Sequence, residues 1–343
     1  MRINTRLLLA TALVALMAGC PGGKGIPGGD KVPGGGGVPG GLGGDSGMVD
    51  PNSCGNYAAS EAGRRFKAFL TAVADLQVST TETVKVVKAS CVTLGTELGM
   101  PAPDLEGEAK EVCAKVWGEI DKNMKVAFKG KAALKIKYTP AVCRVNLDVS
   151  AKAAAECEGK ASADVSAKCT GVCKGKCDGQ CAGKAGTGGN SGECNGECKG
   201  TCKGSCEGNA DVNASAQCKA SAQVKASAEM ECTEPELTID ADAKLTVDKS
   251  KAEMTIKALK NGLPKLLSVK ARLKPIEIAM KTTAKTAAEL VEMGPKFINS
   301  FKDQALCIGG QVTALAKAST QIEANVNVSV SVSAEASGTV GGG

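Results

Sequence analysis

The chain has 343 residues, of which 43 are glycine and only 2% are aromatic, a composition that argues against one large conventional globular core. The formal charge is +6 with no histidine anywhere, which removes the commonest general base and the commonest metal ligand from any enzymatic reading. Seventeen cysteines behind a secretory start imply an oxidising compartment, where disulfides persist.

That start is residues 1–19: Arg2 and Arg6 precede the apolar run Leu7 to Met17, followed by Ala18, Gly19 and Cys20. The run is too short to span a bilayer and reads as a signal peptide. The segment Leu16-Met17-Ala18-Gly19-Cys20 resembles the lipobox of bacterial lipoproteins, with Met17 where leucine is usual. The resemblance covers residues 1 to 20 and implies that Cys20 is lipidated and becomes the mature N-terminus. Pro21 follows it rather than aspartate, which for such lipoproteins implies the outer membrane, facing either outward or into the periplasm. Setting Cys20 aside leaves sixteen cysteines, an even number that can all pair.

Residues 20–53 form a lipid-anchored tether. Ile26-Pro27-Gly28-Gly29, Val32-Pro33-Gly34-Gly35 and Val38-Pro39-Gly40-Gly41 recur in a glycine-rich background that cannot bury a core. As a flexible coil, its stretch from 21 to 47 spans roughly 30 Å.

A helical hairpin is expected over residues 54–125. Phe66, Phe69, Leu70, Val73 and Leu76, then Val84, Val87, Cys91, Leu94 and Leu98, recur mostly every three or four residues and make one apolar stripe. Gly99 to Pro103 ends that helix, and Asp104 is expected to cap a second one with the stripe Leu105, Ala109, Val112, Val116, Ile120 and Met124. Cys91 and Cys113 are equidistant from Ala102 and are paired on that ground, which leaves Cys54 for Cys307.

The most informative pattern lies in residues 126–248. Cys143 with Cys232, Cys157 with Cys218, Cys169 with Cys206, Cys173 with Cys202, Cys177 with Cys198 and Cys181 with Cys194 each sum to 375. Opposed residues of two antiparallel strands keep a constant index sum and stand ~4.5 to 5.5 Å apart at Cα, within disulfide range. The glycines obey the same rule, as in Gly175 with Gly200 and Gly179 with Gly196, so the expectation is a long two-stranded ribbon with a ladder of six cross-strand disulfides and a tip at 182–193. The sum holds beyond the glycine-rich part, with Val145 meeting Met230, Leu147 Ala228 and Val149 Ala226, and nearer the base Tyr138 meeting Leu237, Ile136 Ile239 and Leu134 Ala241. Pro140 and Pro235 oppose one another and mark a kink, because proline cannot donate to the ladder. Lys176 opposite Lys199 and Asp178 opposite Glu197 are like-charge exceptions. A bare two-stranded ribbon is marginal in water, and a bridge closing about a dozen residues contributes ~3 kcal/mol in the chain-entropy model.

Residues 249–323 return to helix, punctuated by Pro264, Pro275 and Gly294-Pro295, with Leu259, Leu263, Leu266, Leu267 and Leu273 as its core stripe. From Asp248 to Lys302 there are 12 basic and 5 acidic residues, net +7, a solvated face or a contact for anionic lipid or lipopolysaccharide. Residues 324–343 close the chain. There Val326, Val328, Val330, Val332, Ala334 and Ala336 alternate with polar residues, predicting a third strand along one open edge of the ribbon.

The fold class expected is therefore α+β: an antiparallel helical body carrying a disulfide-laddered β-ribbon, with a third C-terminal strand. A metal-thiolate cluster is disfavoured because cysteines four apart on a strand lie roughly 13 Å from each other. No catalytic constellation and no cofactor are expected, since no cysteine has a histidine to activate it. The partners expected are the membrane through the anchor, and envelope protein, cell surface or lipopolysaccharide, with no nucleic acid. The function expected is a structural or adhesive element of the cell envelope. Helices flanking a β-tongue also resemble the layout of cytolysin A-type pore-forming proteins, although those tongues are apolar and this one carries Lys174, Lys176, Asp178, Lys184, Glu193 and Lys199. A ligand-binding or enzymatic lipoprotein is the remaining alternative, with no supporting constellation.

Overall fold

The computed structural model describes residues 49–129, 134–185, 193–292, 301 and 304–341. Cys20 and the tether up to residue 48 lie outside them, as does the middle of the tip. Three long helices make the body: α1 (Glu61–Glu97), α5 (Lys249–Glu292) and α6 (Ala305–Gly341), with the shorter α2 (Ala109–Ala127) packed on α1 and α5. The Ser60 hydroxyl starts α1 by accepting from the Gly63 amide at 3.0 Å. The predicted stripe of α1 is its buried face, split between two cores. Phe66, Phe69, Leu70, Val73 and Leu76 pack with Ile276 and Met280 of α5 and Leu315 and Ile322 of α6. Val87, Cys91 and Leu94 pack with Val112 and Val116 of α2 and Leu259, Leu263 and Leu266 of α5. Two bridges pin this body, Cys91–Cys113 and Cys54–Cys307, with Cα atoms 5.2 and 5.6 Å apart. Gly262 brings α5 against α1, where a Cβ would lie 2.4 Å from Leu94 Cγ.

Several expectations are corrected in the body. Asp104 sits in a 3-10 turn (Ala102–Leu105), and Glu108 precedes α2 instead. The helix α5 runs through Pro264 and Pro275 without stopping. Each proline removes a helix hydrogen bond at a cost of about 3 kcal/mol, and the burial of Leu259, Leu263, Leu266 and Leu267 on both sides of Pro264 offsets it. The third C-terminal strand does not form, because residues 324–341 belong to α6. Its buried residues Ile322, Ser329, Val332, Ser333 and Ala336 follow helical spacing, while Val330 is 49% exposed. Packing along α1 and α5 overrides the β-propensity of an alternating valine run.

The arm begins as expected. Strands β1 (Leu134–Thr139) and β6 (Glu236–Ala241) pair antiparallel with Leu134 opposite Ala241, Ile136 opposite Ile239 and Tyr138 opposite Leu237. Leu134 and Ile239 face inward and seat this base on the second core. Pairing lapses around Pro140 and Pro235, then resumes in β2 (Cys143–Asn146) and β5 (Glu231–Cys232), where Cys143 opposes and bonds Cys232.

Beyond Asn146 the two chains become helices, α3 (Leu147–Glu158) and α4 (Ala216–Ala228), not strands. Asn146 caps α3 by accepting from the amides of Asp148 and Val149, and Gly159 ends it in the left-handed region at φ 70°. Both segments are alanine-rich, which favours helix, and small side chains let α3 and α4 pack closely. Cys157 still bonds Cys218, with Cα atoms 5.5 Å apart. After α3 and before α4 come the two long strands β3 (Ala167–Ala185) and β4 (Glu193–Val212), which pair with each other.

Candidate functional site: a disulfide-filled β-coil

All eight bridges join the pairs expected from the sequence. In β3 and β4 they are Cys169–Cys206, Cys173–Cys202, Cys177–Cys198 and Cys181–Cys194, with Cα separations from 5.5 to 5.9 Å. The backbone register, however, is not the one the bridges follow. Cys173 opposes Cys206, Cys177 opposes Cys202 and Cys181 opposes Cys198, while Gly171, Gly175, Gly179 and Gly183 oppose Gly208, Gly204, Gly200 and Gly196. Every pair is displaced by one four-residue repeat, and the expected flat ladder is corrected accordingly.

Flat strands cannot satisfy both patterns, since residues four apart on one strand are ~13 Å apart. The ribbon solves this by coiling on itself. Residues Val172 to Lys176 pair on one edge with 203–207 and on the other with 193–197. Cys173 thus has two backbone neighbours on β4, Cys206 and Gly196, ten residues apart, and its bonded partner Cys202 lies between them in sequence. The bridges cross the inside of the coil. The strand β2 continues the wall, with Val145 opposite Cys206 and Asn146 opposite Ser205.

Alternation sorts the residues. Cys173, Cys177, Cys194, Cys198, Cys202 and Cys206 are all buried, and the glycines share their face. The walls can approach to under ~6 Å at Cα because nothing larger than cysteine points inward, where ordinary sheets pack ~10 Å apart. Glycine is obligatory at the closest points: a Cβ on Gly179, whose φ is 146°, would lie 2.3 Å from the Lys199 carbonyl oxygen, and one on Gly200 would lie 1.9 Å from that of Asp178. The outer face carries Lys174, Lys176, Asp178, Gln180, Glu193, Asn195, Glu197, Lys199, Lys203 and Glu207, all exposed. Coiling also answers one like-charge conflict: Asp178 faces Thr201 rather than Glu197. Lys176 stays opposite a lysine, Lys203, but has Glu193 on its other edge.

The coil joins the body through α3, α4 and a buried carboxylate. Glu158, 8% exposed, accepts from the Ser215 amide at 2.6 Å and stands 3.9 Å from the Arg65 guanidinium of α1. Burial alone would raise its pKa, but the Ser215 hydrogen bonds, with Arg65 and Lys160, outweigh that and hold it below the ordinary glutamate value. Nearby, Asp75 of α1 is pushed up by burial and by Glu229, against the opposing pull of Lys225. Burial and the neighbouring Asp50 push Tyr57 up to about 12, and its hydroxyl donates to the Pro51 carbonyl at 2.6 Å.

Elsewhere, the chemistry is sparse. Along α5 Lys260, Lys265, Lys270, Arg272 and Lys274 are exposed, in a stretch without acidic residues between Glu253 and Glu277. A hollow of about 170 Å³ between α1, α2 and α6 is lined by Lys85, Lys88, Glu108 and Asn325, below the ~300 Å³ of ordinary ligand pockets. Among the described residues no three histidine, cysteine, aspartate or glutamate side chains gather as a metal site, and no helix is long and apolar enough to cross a membrane. No family model, curated protein or solved structure matches the chain.

Proposed function

We propose that the protein is a lipid-anchored component of the bacterial cell envelope that presents a rigid β-coil, and that its role is structural or adhesive rather than enzymatic. The observation that carries this reading is the cysteine count. Eight bridges occupy sixteen of the seventeen cysteines, and the one left over is Cys20, in the segment that resembles a lipobox. A thiol with a lipid-acceptor setting and no disulfide partner fits an anchor. A coil whose interior is filled by bridges keeps its shape without a large apolar core, which suits a spacer or a contact element exposed to shear and proteases. Among the described residues of its outer face Val172 is the one large apolar side chain exposed, little surface for entering a bilayer, and the exposed cations of α5 suit anionic headgroups or lipopolysaccharide.

The test is fractionation of cells fed a labelled fatty acid. Wild-type protein is expected in outer membranes with the label on Cys20, and Cys20→Ser is expected unlabelled and released. Unlabelled wild-type protein in the soluble fraction would overturn the anchor. Lysine labelling of intact cells then separates an outward-facing coil, whose outer lysines react, from a periplasmic one. Leakage from anionic liposomes would replace the structural reading with a membrane-active one.

A further inference from the structure

Every bridge of the coil runs to the cysteine one repeat away from the one directly opposite. Cys173, Cys177 and Cys181 each have a cysteine as Cα partner, Cys206, Cys202 and Cys198, that is bonded elsewhere. Only the two outermost cysteines lack such a neighbour: Cys169 opposes Ala210, and Cys194 opposes Ala185 and Gly175. The sulfurs therefore form a buried column in which a second set of pairs is already aligned by the backbone. Solvent reaches it at the ends, where Cys169 and Cys181 are only half-buried, whereas Cys173, Cys177, Cys202 and Cys206 are 0 to 2% exposed.

We propose that the ladder is a thiol–disulfide relay with two connectivities, in which a bridge opened at either end is passed along the column until the unpaired thiols are Cys169 and Cys194. A reductant of the thiol or phosphine class first adds two electrons to Cys181–Cys194 and leaves two thiols. The Cys181 thiolate attacks Cys198, forming Cys181–Cys198 and expelling the Cys177 thiolate. Cys177 attacks Cys202 and expels Cys173, and Cys173 attacks Cys206 and expels Cys169. Each exchange breaks one S–S bond, makes one and moves no net electrons, and the expelled thiolate takes up the proton that the attacking thiol gave up. Opening Cys169–Cys206 instead runs the mirror-image sequence along β4 and ends at the same two thiols. Every state keeps three bridges in the coil, so damage at the tip is redistributed without unstapling it. The inference goes beyond the envelope reading and does not depend on Cys20.

Trypsin makes the exchange visible. Cutting after Lys199 and Lys203 isolates residues 200–203 with Cys202, and Lys168, Lys174, Lys176 and Lys184 separate residues 169–174 from 177–184. The wild-type protein is held at pH 8 with one equivalent of tris(2-carboxyethyl)phosphine, which takes oxygen from water as it reduces one bridge. It is then quenched with acid, alkylated with N-ethylmaleimide and digested. In singly opened molecules the fragment with Cys202 is expected on residues 177–184 instead of 169–174 in about half, because two of the four states reached from either end hold Cys177–Cys202 at equal bridge number. Alkylation should appear on Cys169 together with Cys194. Alkylation confined to Cys181 with Cys194, or Cys169 with Cys206, with Cys202 always on Cys173, would overturn the relay. The double variant Ala185→Cys/Ala210→Cys supplies the missing partners. Oxidised, it is expected to hold five shifted bridges, including Cys177–Cys202; the four original bridges with both new thiols alkylated would again overturn the proposal.

Discussion

Cys173 stands opposite Cys206 across the β-ladder and is covalently joined to Cys202, one repeat away. This offset between hydrogen-bond register and disulfide register is the physical signature of the coil. A flat ribbon would make the two coincide, and its open edges would invite pairing with other chains. Here Val172 to Lys176 have both edges occupied by β4.

The glycine at the closest wall contact should be irreplaceable. Gly200→Ala places a methyl 1.9 Å from the Asp178 carbonyl oxygen, which is backbone and cannot swing aside. The coil is expected to loosen at a cost of about 1–3 kcal/mol, read as faster proteolysis of residues 177–203. Lys199→Ala, on the exposed outer face, should leave that rate unchanged.

The outer half of the coil should depend on its bridges and the body should not. Replacing Cys177, Cys198, Cys181 and Cys194 by serine removes two bridges and buries hydroxyls among glycines. Protease sensitivity of the tip is expected to rise at least several-fold. The helical circular dichroism, carried by α1, α2, α5 and α6 with Cys91–Cys113 and Cys54–Cys307 intact, should persist. Loss of both together would mean that body and coil fold as one unit.

Acid should undock the coil's helices from α1. Glu158 titrates below its unfolded value of ~4.3, so its contribution is complete at neutral pH and is lost as pH falls through that value and then through the lower folded one. Glu158→Gln weakens the charge-assisted hydrogen bond from the Ser215 amide and removes the ion pair with Arg65, with an expected loss of about 1–2 kcal/mol at pH 7 in urea melts. The gap from wild type should narrow as pH falls below the unfolded glutamate value and close once the folded-state carboxylate is protonated. A gap independent of pH would assign the loss to packing alone.

Much of this architecture was written in the index sums. The six pairings of the arm and the base register, down to Ile136 opposite Ile239, follow from them, while Cys91–Cys113 follows from its symmetry about Ala102 between the stripes of α1 and α2, and Cys54–Cys307 from elimination. What stayed hidden has definite causes. An antiparallel helix pair preserves a constant sum as well as a strand pair does, so Cys157 with Cys218 could not distinguish them; the alanine content and the caps Asn146 and Gly159 could. A Cys-x-Gly-x repeat looks the same after a shift of four, so the sum that gave the bridges could not give the register. The available signal was the clash of Asp178 with Glu197, which the true register removes. The valines after Asn325 alternate as strand residues do, but the positions that pack on the body are Ser329, Val332, Ser333 and Ala336, at helical spacing, and that packing is not visible in the alternation.

The most direct test of the coil is backbone nuclear Overhauser contacts from Cys173 in isotope-labelled, fully oxidised protein. The account predicts cross-strand contacts to both Cys206 and Gly196, ten residues apart on β4, in a molecule whose peptide map joins Cys173 to Cys202. Contacts to Cys202 as the sole cross-strand neighbour would mean a flat ladder and would contradict it.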